Sequence, residues 1–124
     1  MEGSKRILVV DDEEILRMLI ADTLSFEGYT VEEAQNGQEG FDKASSGNFD
    51  VVLLDYMMPK LTGPEVLERL QPLNLGFPII MLTAKAQQSD RDLAASLGAD
   101  YFMPKPFSPS ELVALVEQVI KESS

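Results

Sequence analysis

The chain has 124 residues, 44% of them hydrophobic and 25% charged, a composition typical of one globular domain. We assign residues 1–124 to this domain and expect residues 1–5 to be its N-terminal tail. It contains no cysteine and no histidine, which excludes disulfides, thiol nucleophiles, Ser-His-Asp triads and Cys/His zinc sites. The net charge of −11 opposes binding to nucleic-acid phosphates and anionic lipids. Without a long apolar run or a signal peptide, we expect a cytoplasmic protein.

The first part of the chain alternates strand and helix patterns. Residues 7–10 form a continuous apolar run, which predicts a strand buried on both faces. The helix that follows is predicted to have one apolar face, made of Leu16, Leu19, Ile20 and Leu24. Gly28 can adopt the left-handed backbone conformation that commonly ends a helix, so we expect this helix to end there. A second strand begins within residues 29–31, and a weaker helical pattern covers residues 37–46.

The middle of the chain repeats this alternation. Residues 51–54 predict a third buried strand, and a turn-rich stretch follows at residues 59–63. Pro64 suits the first turn of the next helix, whose inward face is predicted to be Val66, Leu67 and Leu70. Residues 79–82 predict a fourth strand.

The last part predicts two helices around a short strand. Residues 90–97 suit a helix closed by Gly98, and residues 101–103 suit the strand. In the final helix, Ser108 and Glu111 have the spacing of a capping box, and its apolar positions are Leu112, Val116, Val119 and Ile120. Five successive β-α units predict an α/β fold, a doubly wound five-stranded parallel sheet of order 2-1-3-4-5 with helices on both faces.

Polar residues follow four of the predicted strands, and the fold brings these strand ends to one edge of the sheet. They are Asp11 and Asp12, Asp55, Thr83, and Lys105. Each one alone has a simpler interpretation, such as a helix cap, a turn residue or a solvated cation. Together they predict a site.

The chemistry of this set follows from charge. Carboxylates about 4 Å apart repel by roughly 4 kcal/mol at an effective dielectric constant near 20, so Asp11, Asp12 and Asp55 need a counter-charge. Oxygen ligands without His or Cys favour a hard cation such as Mg²⁺. Asp55 is then the candidate nucleophile toward phosphorus. Lys105 would pair with a phosphoryl oxygen, Thr83 would donate a hydrogen bond to another, and the small Ala84 would leave room for the group.

At these residues the sequence resembles the receiver domain of two-component response regulators, chemotaxis regulators among them. The resemblance runs from Ile7 to Ile120, and its motifs are Asp11-Asp12-Glu13, Leu54-Asp55 through Pro59, Gly63, Leu82-Thr83-Ala84, Gly98-Ala99-Asp100 and Lys105-Pro106-Phe107. The same order, 2-1-3-4-5, is found in this family.

The resemblance implies a signalling switch that takes a phosphoryl group from the phosphohistidine of a sensor histidine kinase or histidine phosphotransfer protein onto Asp55. It implies that the main-chain carbonyl of Met57 completes the Mg²⁺ ligands, that the peptide bond before Pro106 is cis, and that Thr83 and Phe102 form the switch. It further implies a phosphoacceptor with slow self-dephosphorylation rather than an enzyme with a separate substrate.

The same resemblance implies that a downstream effector protein binds the face of helix four, strand five and helix five. The expected assembly is a monomer or a weak phosphorylation-dependent dimer, without direct contact to nucleic acid or membrane. Phe102 stands where Tyr is frequent, and a simple structural aromatic is the alternative interpretation. Met57 and Lys85 are expected to flank the path of the water that hydrolyses the phosphoryl group.

Three other functions share parts of the pattern. An FMN-binding flavodoxin would need a hydroxyl- and glycine-rich phosphate loop, whereas residues 11–14 are four acids. A Mg²⁺-dependent phosphatase with an aspartyl nucleophile typically carries a second Asp two residues later, where this chain has Met57. A degenerate receiver would act only as a protein-binding module, and the complete acidic pocket argues against it.

Overall fold

The computed structural model describes residues 5–46, 48–84 and 87–123, which form alternating parallel strands and helices. The strands are β1 (Arg6–Val10), β2 (Thr30–Ala34), β3 (Val51–Asp55), β4 (Ile79–Thr83) and β5 (Tyr101–Pro104). The α-helices are α1 (Glu14–Phe26), α2 (Gly37–Ser46), α3 (Gly63–Leu70), α4 (Gln88–Ser96) and α5 (Pro109–Ser123), and a 3₁₀ turn covers Gln71–Leu73. In these ranges no helix combines the length and the hydrophobicity needed to cross a bilayer.

The five strands form one parallel sheet in the order β2-β1-β3-β4-β5, as predicted. In the register, Val10 pairs with Leu54 of β3, and Asp55 pairs with Leu82 of β4. Thr83 pairs with Pro104 at the end of β5. The carboxyl ends of β1, β3, β4 and β5 are therefore level with one another, which places the polar residues that follow them at one edge.

Two hydrophobic layers cover the sheet because successive side chains of a strand point to opposite faces. Leu8 and Val10 of β1 face one layer with α2, α3 and α4. Ile7 and Val9 face the other layer with α1 and α5. Burial on both sides explains why β1, β3 and β4 are apolar runs rather than alternating sequences.

The predicted apolar face of α1 is wrong at one position. Leu24 and Ile20 are fully buried against the sheet and Leu16 packs beside them, but Leu19 is 52% exposed. At 3.6 residues per turn, Leu19 lies about 100° around the helix from Ile20, which is the centre of the buried stripe. The face that contacts the sheet is therefore narrower than the sequence pattern suggested.

Helix ends are marked by local side-chain bonds and by glycine. At α5, the Ser108 hydroxyl accepts from the Glu111 N–H at 3.1 Å and the Glu111 carboxylate accepts from the Ser108 N–H at 2.8 Å, which confirms the predicted capping box. A second capping box, between Thr62 and Glu65, begins α3 and was not predicted. Gly28 has φ +98°, so the predicted left-handed stop after α1 is confirmed.

Candidate functional site

The first two acids of the site lie where β1 ends. The Asp11 N–H still bonds to the Ala34 carbonyl at 3.1 Å, which makes Asp11 the last residue tied to the sheet. Its buried carboxylate accepts a hydrogen bond from the Glu13 N–H at 2.9 Å, so the chain turns sharply around it. The Arg17 guanidinium donates to the Asp11 carbonyl at 2.8 Å and holds this turn against α1. Asp12, one residue on, is exposed.

Asp55 is the last residue of β3 and is only 5% exposed. Two hydrogen bonds fix the backbone of the next residue. The Tyr56 N–H donates to the Leu82 carbonyl at 2.9 Å, and the Tyr56 carbonyl accepts from the Gly63 N–H at 2.8 Å. A Cβ on Gly63 would lie 2.5 Å from the Asp55 carbonyl oxygen. The start of α3 can therefore approach the acceptor strand this closely only with glycine at position 63.

Lys105 reaches the acids from the loop after β5. Its Nζ lies 2.9 Å from Asp55 Oδ1, 3.4 Å from Asp11 Oδ2 and 3.3 Å from Glu13 Oε1. The backbone N–H of Lys105 donates to the Thr83 carbonyl at 2.8 Å, and this bond ties the loop to the end of β4. The following peptide bond, Lys105-Pro106, is cis, as the resemblance implied.

Burial and neighbouring charge shift the titration of this cluster. Burial is the main cause that raises the pKa of Asp55 to about 6; the bond from Lys105 lowers it, and the charges of Asp11 and Asp12 raise it further. Burial also raises the pKa of Asp11. Burial alone would lower the pKa of Lys105, but its bond to Asp55 and the nearby carboxylates outweigh this and raise it.

The acid cluster fits a divalent cation. Asp11, Asp12 and Asp55 each offer a carboxylate oxygen, and these oxygens all lie within 4.8 Å of one another. Two of the three acids are buried, so their charges are poorly solvated, and the single positive charge of Lys105 does not balance three carboxylates. An all-oxygen set of this kind suits Mg²⁺.

The cluster opens into a cavity of about 310 Å³ at the carboxyl edge of the sheet. Its lining residues are Asp12, Glu13, Asp55, Tyr56, Met57, Thr83, Ala84 and Lys105. Thr83 is buried at its wall, whereas Ala84 is exposed and Met57 is 57% exposed. A larger and mainly apolar cavity of about 600 Å³ lies between α1 and α5, but its lining does not include the acid cluster.

The structure therefore brings together Asp11, Asp12, Asp55, Thr83 and Lys105, with Ala84 and Met57 beside them. Phe102 lies away from this cavity, half-buried on the face of the sheet that α3 and α4 cover. Tyr101 packs on the opposite face, as expected for its neighbour in a strand. Lys85, whose role was also predicted, lies outside the described residues.

Two contacts around the site were not predicted from the sequence. Glu13 is one of the four acids at residues 11–14, and no sequence pattern predicts its bond to Lys105. The Tyr56 hydroxyl donates to Asp90 at 3.3 Å and so connects the residue after Asp55 to α4. The only sequence signal for the second contact is a tyrosine directly after the acceptor, which does not identify its partner.

Comparison with known proteins identifies the family. The family model that describes the response regulator receiver domain matches residues 7–117 of this chain. The alkaline phosphatase synthesis transcriptional regulatory protein PhoP of Bacillus subtilis is 46% identical over 120 residues, which are 97% of this chain and 50% of that protein. The chain thus spans about half the length of the curated relatives it matches.

Solved structures agree with this comparison. A CheY-like receiver domain protein from Methanospirillum hungatei has a TM-score of 0.92 and 33% identity, over 98% of this chain and 97% of that one. The response regulator TrrA from Thermotoga maritima, solved in complex with Mg²⁺-BeF, has a TM-score of 0.82 and 40% identity, over 93% of this chain and 98% of that one. The chain belongs to the response regulator receiver domain family, whose members act in phosphorylation-dependent signalling.

Proposed function

We propose that Asp55 accepts a phosphoryl group from the phosphohistidine of a sensor histidine kinase or a histidine phosphotransfer protein. The observation that carries the proposal is a buried carboxylate, bonded to Lys105 at 2.9 Å, within a cluster of three acids that opens into a cavity. With a pKa of about 6, Asp55 is ionised at neutral pH and can act as a nucleophile.

In the transfer, an Asp55 carboxylate oxygen forms a bond to phosphorus while the bond from phosphorus to the donor imidazole nitrogen breaks. Asp11, Asp12 and Asp55, with the Met57 carbonyl, would hold Mg²⁺. The ion, when bound, neutralises part of the charge that the carboxylates and phosphoryl oxygens bring together. The turn fixed by the Asp11 and Arg17 bonds keeps the acids in place, so little reorganisation is needed.

Three other residues would respond to the new group. Lys105 already bonds to Asp55 and can pair with a phosphoryl oxygen without leaving the site. Thr83 would donate its hydroxyl to a second oxygen, and the exposed Ala84 beside it leaves space for the group. Because the Lys105 N–H bonds to the Thr83 carbonyl, movement of either residue is transmitted to the end of β5.

The output that follows from this arrangement is a change in α4, β5 and α5 around Phe102, which would alter binding of an effector protein. We propose no separate small-molecule substrate: the chain catalyses its own phosphorylation and, slowly, its own dephosphorylation. The half-exposed Met57 is apolar and cannot orient an attacking water, which supports a slow reaction.

Incubation with Mg²⁺ and acetyl phosphate, followed by intact-mass analysis, tests this function. We expect one phosphoryl adduct in the wild type and in the control Asp42→Asn, an exposed acid on α2, and no adduct in Asp55→Asn or in EDTA. An adduct that persists in Asp55→Asn would refute the assignment. Steady turnover of a small phosphate ester would favour a phosphatase, and neither adduct nor turnover would favour a binding module.

A further inference from the structure

Helix α4 is held to the rest of the fold by few buried side chains. All of its residues, Gln88–Ser96, lie in the described part of the chain, and only Ala94 among them is fully buried. Leu93, its largest apolar side chain, is about half exposed. A helix with so little hydrophobic contact depends on other interactions for its position.

Two consecutive residues in the first turns of α4 supply such interactions. Asp90 accepts a hydrogen bond from the Tyr56 hydroxyl at 3.3 Å, and Tyr56 directly follows the proposed acceptor Asp55. Arg91 places its guanidinium carbon 5.7 Å from the centre of the Phe102 ring, within the range of a cation–π interaction. One turn of α4 thus contacts both the phosphoryl cavity, which Tyr56 lines, and the aromatic residue of β5.

The Arg91 contact is also finely balanced. The Arg91 guanidinium lies over the half-buried ring of Phe102 and shields part of that ring from water. Its Nε, however, is buried and has no hydrogen-bond partner among the described residues. A buried N–H without a partner is unfavourable, so it offsets part of what the ring contact contributes. An interaction with a small net value is easily released.

We propose that Asp90 and Arg91 form a latch that holds α4 and Phe102 in the unphosphorylated arrangement. This inference rests on the proposed function, because the latch opposes the movement of Phe102 that would follow phosphorylation. Any ligand at Asp55 that favours a moved Phe102 must act against these two contacts. By linkage, weakening the latch raises the affinity for such a ligand by the factor by which it increases the population of the arrangement that the ligand favours.

The test measures binding of beryllofluoride with Mg²⁺, a stand-in for the phosphoryl group, to variants of the latch. Arg91→Ala uncovers the Phe102 ring, and Tyr56→Phe removes the bond to Asp90. We expect Arg91→Ala to bind beryllofluoride about three- to tenfold more tightly than the wild type. Without ligand, its backbone amides in residues 88–96 and 101–103 should exchange hydrogen faster.

Two variants serve as controls. Arg91→Lys keeps a cation that can lie over the ring and should restore most of the wild-type behaviour. Asp92→Ala changes an exposed acid of the same helix and should leave both measurements unchanged. Among the described residues, the Asp92 side chain accepts a hydrogen bond from Gln88, within α4 itself. Thermal unfolding of each variant establishes that it is folded, and Tyr56→Phe tests the latch independently if Arg91→Ala does not fold.

Each outcome decides the proposal. Equal or weaker beryllofluoride binding by Arg91→Ala overturns the latch, whatever the exchange rates in α4. An effect of Asp92→Ala as large as that of Arg91→Ala also overturns it. If the wild type binds no beryllofluoride, the proposed function fails, and the exchange rates without ligand alone decide whether Arg91 holds α4.

Discussion

At the scale of single residues, Asp55 is under two opposing influences. Its near-complete burial favours the neutral acid, whereas the ammonium of Lys105 at 2.9 Å favours the carboxylate. Burial has the larger effect, because the pKa of Asp55 is raised from 3.8 to about 6. The ionised group that the proposed chemistry requires is therefore unfavourable for the stability of the metal-free fold.

The first prediction concerns stability and pH. Between pH 3.8 and about 6 the folded chain binds more protons at Asp55 than the unfolded chain does, so this residue lowers stability as pH rises. In EDTA at pH 7.5, Asp55→Asn should therefore be more stable than the wild type by about 3 kcal/mol. Near pH 4 the difference should be small. Urea denaturation at the two pH values measures both quantities.

Loss of the ion pair with Lys105 should not cancel this gain, since Lys105 keeps Asp11 and Glu13 as partners in this variant. Asp42→Asn is the control, because Asp42 is exposed on α2 and its substitution should not reproduce the effect. Equal stability of Asp55→Asn and wild type at pH 7.5 would contradict the raised pKa of Asp55.

At the scale of elements, the position of α3 depends on its first residue. Gly63 bonds to the Tyr56 carbonyl at 2.8 Å, and a Cβ there would lie 2.5 Å from the Asp55 carbonyl oxygen and 3.0 Å from Tyr56 Cα. These are backbone atoms at the end of β3 and of the residue after it, and they cannot rotate away as a side chain could. The strand that carries Asp55 and the helix after it are therefore positioned by each other.

We predict that Gly63→Ala destabilises the protein by about 2 kcal/mol, although alanine is the better helix former by about 1 kcal/mol. Urea denaturation measures this cost. Displacement of the strand end should also slow phosphorylation at Asp55 in the intact-mass assay. Glu68→Ala, at an exposed position of the same helix, should do neither. A Gly63→Ala protein as stable as the wild type would show that α3 can move without cost.

Much of the element order follows from sequence pattern, because apolar runs and capping residues act locally. The Ser108 capping box was predicted for this reason, whereas the equivalent box at Thr62 lies in a turn-rich stretch and was not. The sequence pattern does not separate Leu19, which lies at the margin of the buried stripe, from the residues that contact the sheet. Contacts such as that of Arg91 with Phe102 depend on how loops bring two elements together, and no local pattern determines that.

In the site, too, the features that follow from strand order were predicted, and the contacts that depend on the path of a loop were not. The acids and Lys105 were predicted to meet because parallel strands end at one edge of the sheet. The pairing of Lys105 with Glu13 was not predicted, because it depends on the path of the loop after β5.

At the scale of the whole molecule, a net charge of −11 on 124 residues means that the fold forms against its own repulsion. Salt screens the repulsion between all of these charges, whereas a divalent cation can also bind at the acid cluster and stabilise the folded state there. We predict that NaCl raises the melting temperature modestly. MgCl₂ at the same ionic strength should raise it further, because the acid cluster binds the ion.

The additional effect of MgCl₂ should disappear in Asp12→Ala. In EDTA this variant should be as stable as the wild type or more so, because Asp12 is exposed and its removal relieves repulsion. Thermal melts at matched ionic strength make the comparison. A variant that melts far below the wild type in EDTA would indicate that Asp12 has a structural role instead of binding metal.

The edge strand β5 contributes neighbouring aromatic residues to both hydrophobic layers. Phe102 packs on the side of α3 and α4, and Tyr101 packs on the side of α1 and α5, where its hydroxyl bonds to Glu122 near the end of α5. Because the two side chains share one short stretch of backbone, the strand cannot tilt to accommodate Phe102 without also displacing Tyr101. We therefore expect a displacement of Phe102 on one side of the sheet to shift Tyr101 on the other side, and with it the contact to Glu122 in the last turn of α5.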